Sequence, residues 1–152
     1  MNEYSGLTFN DLVILYALDW SYMNDEEIPL FFQARKNPVI HANRLLNDIL
    51  QDSYGLFVFQ EQLMEIAQRI GGLSLEDSDD MRRYMAKKHL GGMTKYKPTF
   101  VRNAMNNGYT ERQASELFEW LGERASLLFK RYFAENAVRQ WLKIEYERRF
   151  LP

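Results

Sequence analysis

The chain has no cysteine, only four prolines and eight glycines, and two histidines among its 152 residues. Without cysteine there are no disulfides and no thiolate metal ligands, which is compatible with a cytoplasmic location, the one expected here. His41 and His89 lie far apart with no ligand-spaced neighbours, so neither reads as a metal ligand or a catalytic base. No apolar run approaches the roughly 18 residues of a membrane span, and Met1-Asn2-Glu3-Tyr4 has no basic leader region. A soluble protein with no membrane partner is expected. The formal net charge is -2, so attraction to nucleic acid can come only from local clustering. A glycine-rich phosphate loop is missing as well, because neither Gly71-Gly72 nor Gly91-Gly92 is followed by Lys-Ser/Thr.

What is present is mostly helix signal. Thr8 and Asp11 supply a cap and a first-turn acid ahead of Leu12, Val13, Ile14, Leu15 and Leu18. Pro29 suits the first turn of a second, short helix ending near Asn37-Pro38. Leu45, Leu46, Ile49 and Leu50 recur at helical spacing until Asp52-Ser53-Tyr54-Gly55 breaks the pattern. Phe57-Val58-Phe59 fits a short extended piece, and Phe59, Leu63, Ile66, Ala67 and Ile70 predict a helix from about Phe59 to Gly71-Gly72. A further helix runs from Met93 to Met105, either kinked by Pro98 or starting near Lys97, and stops at Asn107-Gly108. Thr110-Glu111-Arg112-Gln113 is a capping box opening a helix with Ala114, Leu117, Phe118 and Leu121. The remainder has no proline before Pro152 and predicts one long helix or two consecutive ones. No repeat or linker is visible, so the expected fold is all-α, a single compact multi-helix domain over 1–152.

The charges segregate sharply. Asp77, Asp79 and Asp80 fall at the predicted start of a helix, where carboxylates meet unpaired N–H groups. From Met81 to Thr110 there is no acid, while Arg82, Arg83, Lys87, Lys88, Lys95, Lys97 and Arg102 are all cationic. On a helical wheel Met81, Tyr84 and Met85 share one face. Arg83 and Lys87 share another, with Arg82 beside them and the small Ala86 between, leaving room for a bulky anion. The pattern fits either a solvated cationic face or a phosphate-binding surface. Asp77-Ser78-Asp79 precedes a helix and reads as helix-start acids, so no metal site is expected.

The order Tyr54-Gly55, then Phe59-Gln60-Glu61-Gln62-Leu63-Met64-Glu65-Ile66-Ala67-Gln68, Gly72-Leu73-Ser74-Leu75 and Met81-Arg82-Arg83-Tyr84-Met85-Ala86-Lys87-Lys88 resembles the fingers region of the bacterial replicative DNA polymerase III alpha subunit. The flanks follow in the same order, through Phe9-Asn10-Asp11-Leu12, Ile28-Pro29 and Ala34-Arg35-Lys36 on one side and Phe100-Val101, Asn107-Gly108 and Trp141-Leu142-Lys143 on the other. The resemblance, whether to a diverged or an excised form, implies a helical fingers module that helps hold primer-template DNA and the incoming nucleotide. Arg82, Arg83, Lys87 and Lys88 are carried over as phosphate contacts, and Lys95 and Arg102 extend the same basic surface. Fixed cations at that place suit the charge developed in phosphoryl transfer. Tyr54, Gln60, Glu61 and Gln62 come second, as ligand contacts or as parts of the turn and helix start.

Three departures stand out. Asp19-Trp20-Ser21-Tyr22 replaces the family's Arg-Pro-Gly-Pro, and Phe129-Lys130-Arg131-Tyr132-Phe133-Ala134 replaces its Phe-Asn-Lys-Ser-His-Ala. Tyr84 and Ala86 replace an alanine and a glycine, which is expected to narrow or reshape the cationic groove. A polymerase also needs palm carboxylates holding two metal ions. This chain offers no strand-borne acidic pair, so no catalysis by the chain alone and no cofactor of its own are expected, magnesium belonging to the absent palm. The alternative is a degenerate module that has lost DNA binding and contacts other polymerase domains or replication proteins.

Overall fold

A computed structural model describes residues 5–19 and 24–152. The Thr8 hydroxyl accepts from the Asp11 N–H at 3.1 Å while the Asp11 carboxylate accepts from the Thr8 N–H at 3.0 Å, a reciprocal cap that starts α1, Phe9–Asp19. The Trp20-Ser21-Tyr22 departure lies outside the described residues. Helix α2, Asn24–Lys36, starts earlier than Pro29 suggests and carries that proline in its interior. The missing N–H leaves only the Asp25 carbonyl without its intrahelical donor, a loss confined to the opening turns. Asn43 caps α3, Arg44–Leu50, through its side-chain oxygen, and a 3-10 turn, Gln51–Ser53, follows.

The chain then reverses at Tyr54 and Gly55, both in the left-handed region at φ 57° and 83°. Gly55 is required there for a second reason, since a Cβ would lie 2.0 Å from the Val39 carbonyl oxygen. Phe57 and Val58 carry no regular assignment, and Phe59, extended at φ -111° and ψ 144°, is the N-cap of α4, Gln60–Arg69. Four more helices complete the described residues: α5 at Leu75–Ala86, α6 at Leu90–Asn106, α7 at Glu111–Arg124 and α8 at Arg131–Phe150. The fold is all-α, as its periodicities predict.

Two differences from the sequence expectation bear on the site. Helix α6 begins at Leu90 rather than Met93, because the His89 ring nitrogen accepts from the Gly92 N–H at 2.9 Å and caps it, and the helix continues past Pro98. The last helical stretch is interrupted after Arg124 by a 3-10 turn, Ala125–Leu127, and an extended segment at 128–130. That interruption has no glycine or proline to mark it. Its cause is tertiary: the Phe129 N–H donates to the Val58 carbonyl at 3.1 Å and the Gln60 N–H donates to the Phe129 carbonyl at 2.9 Å, forming an isolated parallel bridge.

Burial follows two clusters. The larger joins α3 to α7 around Leu63, Ile66, Ile70, Met81, Met85, Phe100, Phe118 and Leu121. The smaller joins α1, α2 and the first half of α8 around Ile14, Phe31, Phe59 and Val138. Phe59 in the second and Leu63 in the first stand one turn apart at the start of α4, so this helix ties the two together. Arg124 adds a polar tie, pairing with Glu27 of α2 and donating to the Phe57 carbonyl at 3.0 Å.

Candidate nucleic-acid interface

Ser74, not an acid, caps α5 by accepting from the Asp77 N–H at 3.1 Å. Glu76 and Asp77 occupy the first turn, and Asp79 and Asp80 fall one turn further along than a helix-start role places them. Each has a specific partner. Asp80 accepts a short hydrogen bond from the Tyr96 hydroxyl of α6, which with burial pushes that phenol up to about 12. Asp79 accepts from Arg82 at 2.8 Å through one oxygen, and its other oxygen forms an ion pair with Arg83 at 3.1 Å. Hydrogen bonding from Arg82 outweighs partial burial and holds the Asp79 carboxyl below its ordinary range, with the charges of Arg82, Arg83 and Lys130 adding to the effect.

The arginine pair therefore stands on one internal carboxylate. Arg82 is largely packed while Arg83 is exposed, and Met81 and Met85 on the opposite face are fully buried. Tyr84, expected to narrow or reshape the groove, packs away from this stripe. Its ring turns into the seam with α6, so close to Gly92 that a Cβ there would come within 2.2 Å of it, and it lies 5.2 Å from His89 and 6.5 Å from Tyr96.

The two lysines after α5 are separated by the helix end. The helix stops at Ala86, and Lys87 is its exposed C-cap. Lys88 takes a left-handed φ of 55°, with its N–H donating to the Met85 carbonyl at 3.1 Å and the His89 N–H donating to the Tyr84 carbonyl at 2.9 Å. This is a Schellman ending with lysine where glycine is usual. The left-handed turn sends the Lys88 ammonium to α7, where it donates to the Gly122 and Glu123 carbonyls at 2.6 and 3.3 Å. Lys88 thus does not share the α5 stripe with the arginines.

On α6, Lys95 and Arg102 are seven residues apart, share one face and are exposed. The Lys95 ammonium lies 5.2 Å from the Tyr96 ring centroid, and Arg102 lines a groove of about 620 Å³ with Pro98, Val101 and Met105. Lys97 between them is paired with Glu119 of α7 at 2.7 Å.

Tyr54, Gln60, Glu61 and Gln62 each bond within the chain, to separate partners. The Tyr54 hydroxyl donates to the buried Asp11 carboxylate at 2.5 Å. Burial pushes that carboxyl up, but hydrogen bonds from Thr8, Tyr54 and Arg35 outweigh it and leave it below its ordinary range. The Gln62 oxygen accepts from the Val58 and Phe59 N–H groups at 2.9 and 3.0 Å, and its nitrogen donates to the Ser53 hydroxyl at 2.6 Å. Gln60 reaches the Leu128 carbonyl, and the Glu61 carboxylate accepts from the Arg131 and Tyr132 N–H groups at 3.0 and 3.2 Å, capping α8. Arg131 is further held by Asp52 at 2.9 Å and stacks 4.2 Å over the Phe59 ring.

One cation was not singled out from the sequence. Lys130 sits in the extended segment just after the 3-10 turn that packs on α5, close enough for its charge to act on Asp79. Nothing local in the sequence signals this, because the Phe129 bridge places it. Among the described residues, no three His, Asp or Glu side chains group into a metal-holding set.

The described residues thus form an all-α bundle with a cationic helix, α5, close to the turn that Gln62 braces. A model of the bacterial DNA polymerase III alpha subunit finger domain matches residues 1–108, and the chain belongs to that family. It is 40% identical over 94 residues to DNA polymerase III subunit alpha of Thermus aquaticus, covering 62% of this chain and 8% of that protein. It is 42% identical over 116 residues to that of Borreliella burgdorferi, covering 75% and 10%, and 34% identical over 151 residues to that of Xylella fastidiosa, covering 94% and 12%. The chain thus spans about a tenth of the length of these relatives.

Proposed function

We propose that the chain is a replication module that contacts primer-template DNA, or the phosphates of an incoming nucleotide, through Arg82, Arg83 and Lys87, with Lys95 and Arg102 extending the surface. One observation carries the reading: two guanidinium groups share a single carboxylate at Asp79, so the pair keeps an excess positive charge, exposed at Arg83 and partly buried at Arg82. Arginine forks in that state exchange one oxygen acceptor for another at little cost in order, which suits phosphate. Membership of the finger-domain family supports a role in DNA replication, and a cytoplasmic site of action is part of the proposal.

Catalysis is outside this chain's part. Asp79 is committed to its arginines and Asp80 to Tyr96, so neither fits a two-metal site. The metal would belong to a palm domain.

The test is a fluorescence-anisotropy titration of labelled primer-template DNA at low and moderate salt, beside Arg82→Ala/Arg83→Ala. Binding that weakens with salt and drops in the variant supports the reading, because phosphate neutralisation releases counterions. Absence of binding at low salt overturns it.

A second reading, contact with other polymerase domains or replication proteins, is favoured by α8. Beyond Val138 it exposes Trp141, Ile144, Tyr146 and Phe150, an apolar concentration that a solvated helix does not need.

A further inference from the structure

We propose that the outward side of α8 is a second nucleic-acid surface, one that takes single-stranded DNA by stacking unpaired bases on Tyr132 and on the Tyr146 and Phe150 rings, with Arg139 and Lys143 between them for the phosphates. It is separate from the α5 and α6 cations and stands or falls independently of them.

The surface is written in the helix period. Tyr132, Asn136, Arg139, Lys143, Tyr146 and Phe150 recur at i, i+4, i+7, i+11, i+14 and i+18, so they share one side of α8 over about 27 Å. The buried Ala134 and Val138 hold the opposite side against the core. Tyr132, Tyr146 and Phe150 are 64, 60 and 69% exposed, and Arg139 and Lys143 are exposed between them. The acids lie on the flanks: Glu135 pairs with Arg139 at 3.7 Å on one side, and Glu147 stands on the other. Lys143 has no bonded partner among the described residues. At the N-terminal end Phe133 enlarges the aromatic platform, its ring centroid 6.1 Å from that of Tyr132 and the Lys130 ammonium 5.1 Å over it. At the other end the Tyr146 and Phe150 ring centroids are 5.0 Å apart.

The order of these side chains selects the occupant. A protein-docking face puts its apolar groups at the centre and its charges at the rim, and lysine is scarce at such centres. Here the cations are central and the rings are at the ends. Exposed rings alternating with cations suit a single strand, because every unpaired base has a face to stack and every link between bases carries a phosphate. A duplex keeps its bases stacked on one another and can use only the cations. Trp141 and Ile144, which the protein-contact reading also uses, stand on other sides of the helix, Trp141 lining a groove with Leu12 and Leu15 of α1.

The test is fluorescence anisotropy of a labelled oligo-dT strand and of a blunt duplex of equal length. Wild type is compared with Tyr132→Ala/Tyr146→Ala, Tyr132→Phe/Tyr146→Phe, Lys143→Gln and Arg82→Ala/Arg83→Ala, with thermal melting to confirm folding. Both tyrosines and Lys143 are exposed, so their substitution should leave the melting temperature near that of wild type. The alanine variant should bind oligo-dT roughly tenfold or more weakly while its duplex affinity stays within about twofold of wild type. Phenylalanine should restore single-strand binding, since stacking needs the ring and not the hydroxyl. Lys143→Gln should weaken it roughly two- to threefold at low salt and converge with wild type at high salt.

Unchanged oligo-dT affinity in the alanine variant, an equal loss on single strand and duplex, or failure of phenylalanine to restore binding overturns the proposal and leaves this side of α8 to a protein partner. If it is overturned while Arg82→Ala/Arg83→Ala still loses DNA, the α5 reading survives. If the arginine variant binds as wild type does while the alanine variant loses oligo-dT, the α5 reading falls and the α8 surface stands.

Discussion

The Lys88 ammonium donates to the Gly122 carbonyl at 2.6 Å, across 34 residues of chain. A lysine that the sequence places in the basic cluster is thereby the C-terminal cap of α7, where a cation meets unpaired carbonyls and the negative end of the helix dipole. Lys88→Met should cost about 1 kcal/mol in urea denaturation and leave the salt dependence of DNA binding unchanged. A change in salt dependence with no loss of stability would place Lys88 on the ligand instead.

Gln62 is buried at 2% exposure and satisfies two backbone N–H groups and the Ser53 hydroxyl. Replacing it with leucine strands the Val58 and Phe59 N–H groups in the interior, so Gln62→Leu should lose about 2–4 kcal/mol of stability. Denaturant titration measures this directly. A loss below about 0.5 kcal/mol would contradict a bracing role.

Gly55→Ala should be at least as damaging. It forces a Cβ to within 2.0 Å of the Val39 carbonyl oxygen at a left-handed residue, and both penalties act together. We expect a loss of more than about 2 kcal/mol. The same substitution at Gly6, also left-handed but with open space around its Cβ position, should cost markedly less.

Asp11 makes stability depend on acid pH. Its folded-state carboxyl lies below the ordinary value of 3.8, so in acid the unfolded chain binds the proton first. The contribution is present above that value and is lost as pH falls through the folded one. Asp11→Asn should flatten this part of the stability profile. An unaltered acid limb would show that other carboxylates set it.

Much of this fold was legible in the sequence, and the legible parts were local. The Thr110–Gln113 capping box forms as written, with both reciprocal bonds at 3.0–3.1 Å, because its partners sit within one turn. The fingers resemblance also pointed to α5 and its arginine pair. What was not legible depends on distant partners. The end of α7 and the extended residues 128–130 carry no breaker, since the Phe129 bridge to α4 makes them. For the same reason Glu61 was not seen as the cap of α8. Tyr84 was read by size alone, and only its packing on Gly92 shows that it leaves the cationic stripe open.

The most direct measurement is the slope of log affinity for primer-template DNA against log salt, for wild type and for Arg82→Gln/Arg83→Gln, which keeps two long polar side chains and removes two charges. Two lost phosphate contacts should make the slope shallower by roughly 1.5–2 and weaken binding at low salt. Equal slopes in the two proteins, with both folded, would contradict phosphate contact by this pair.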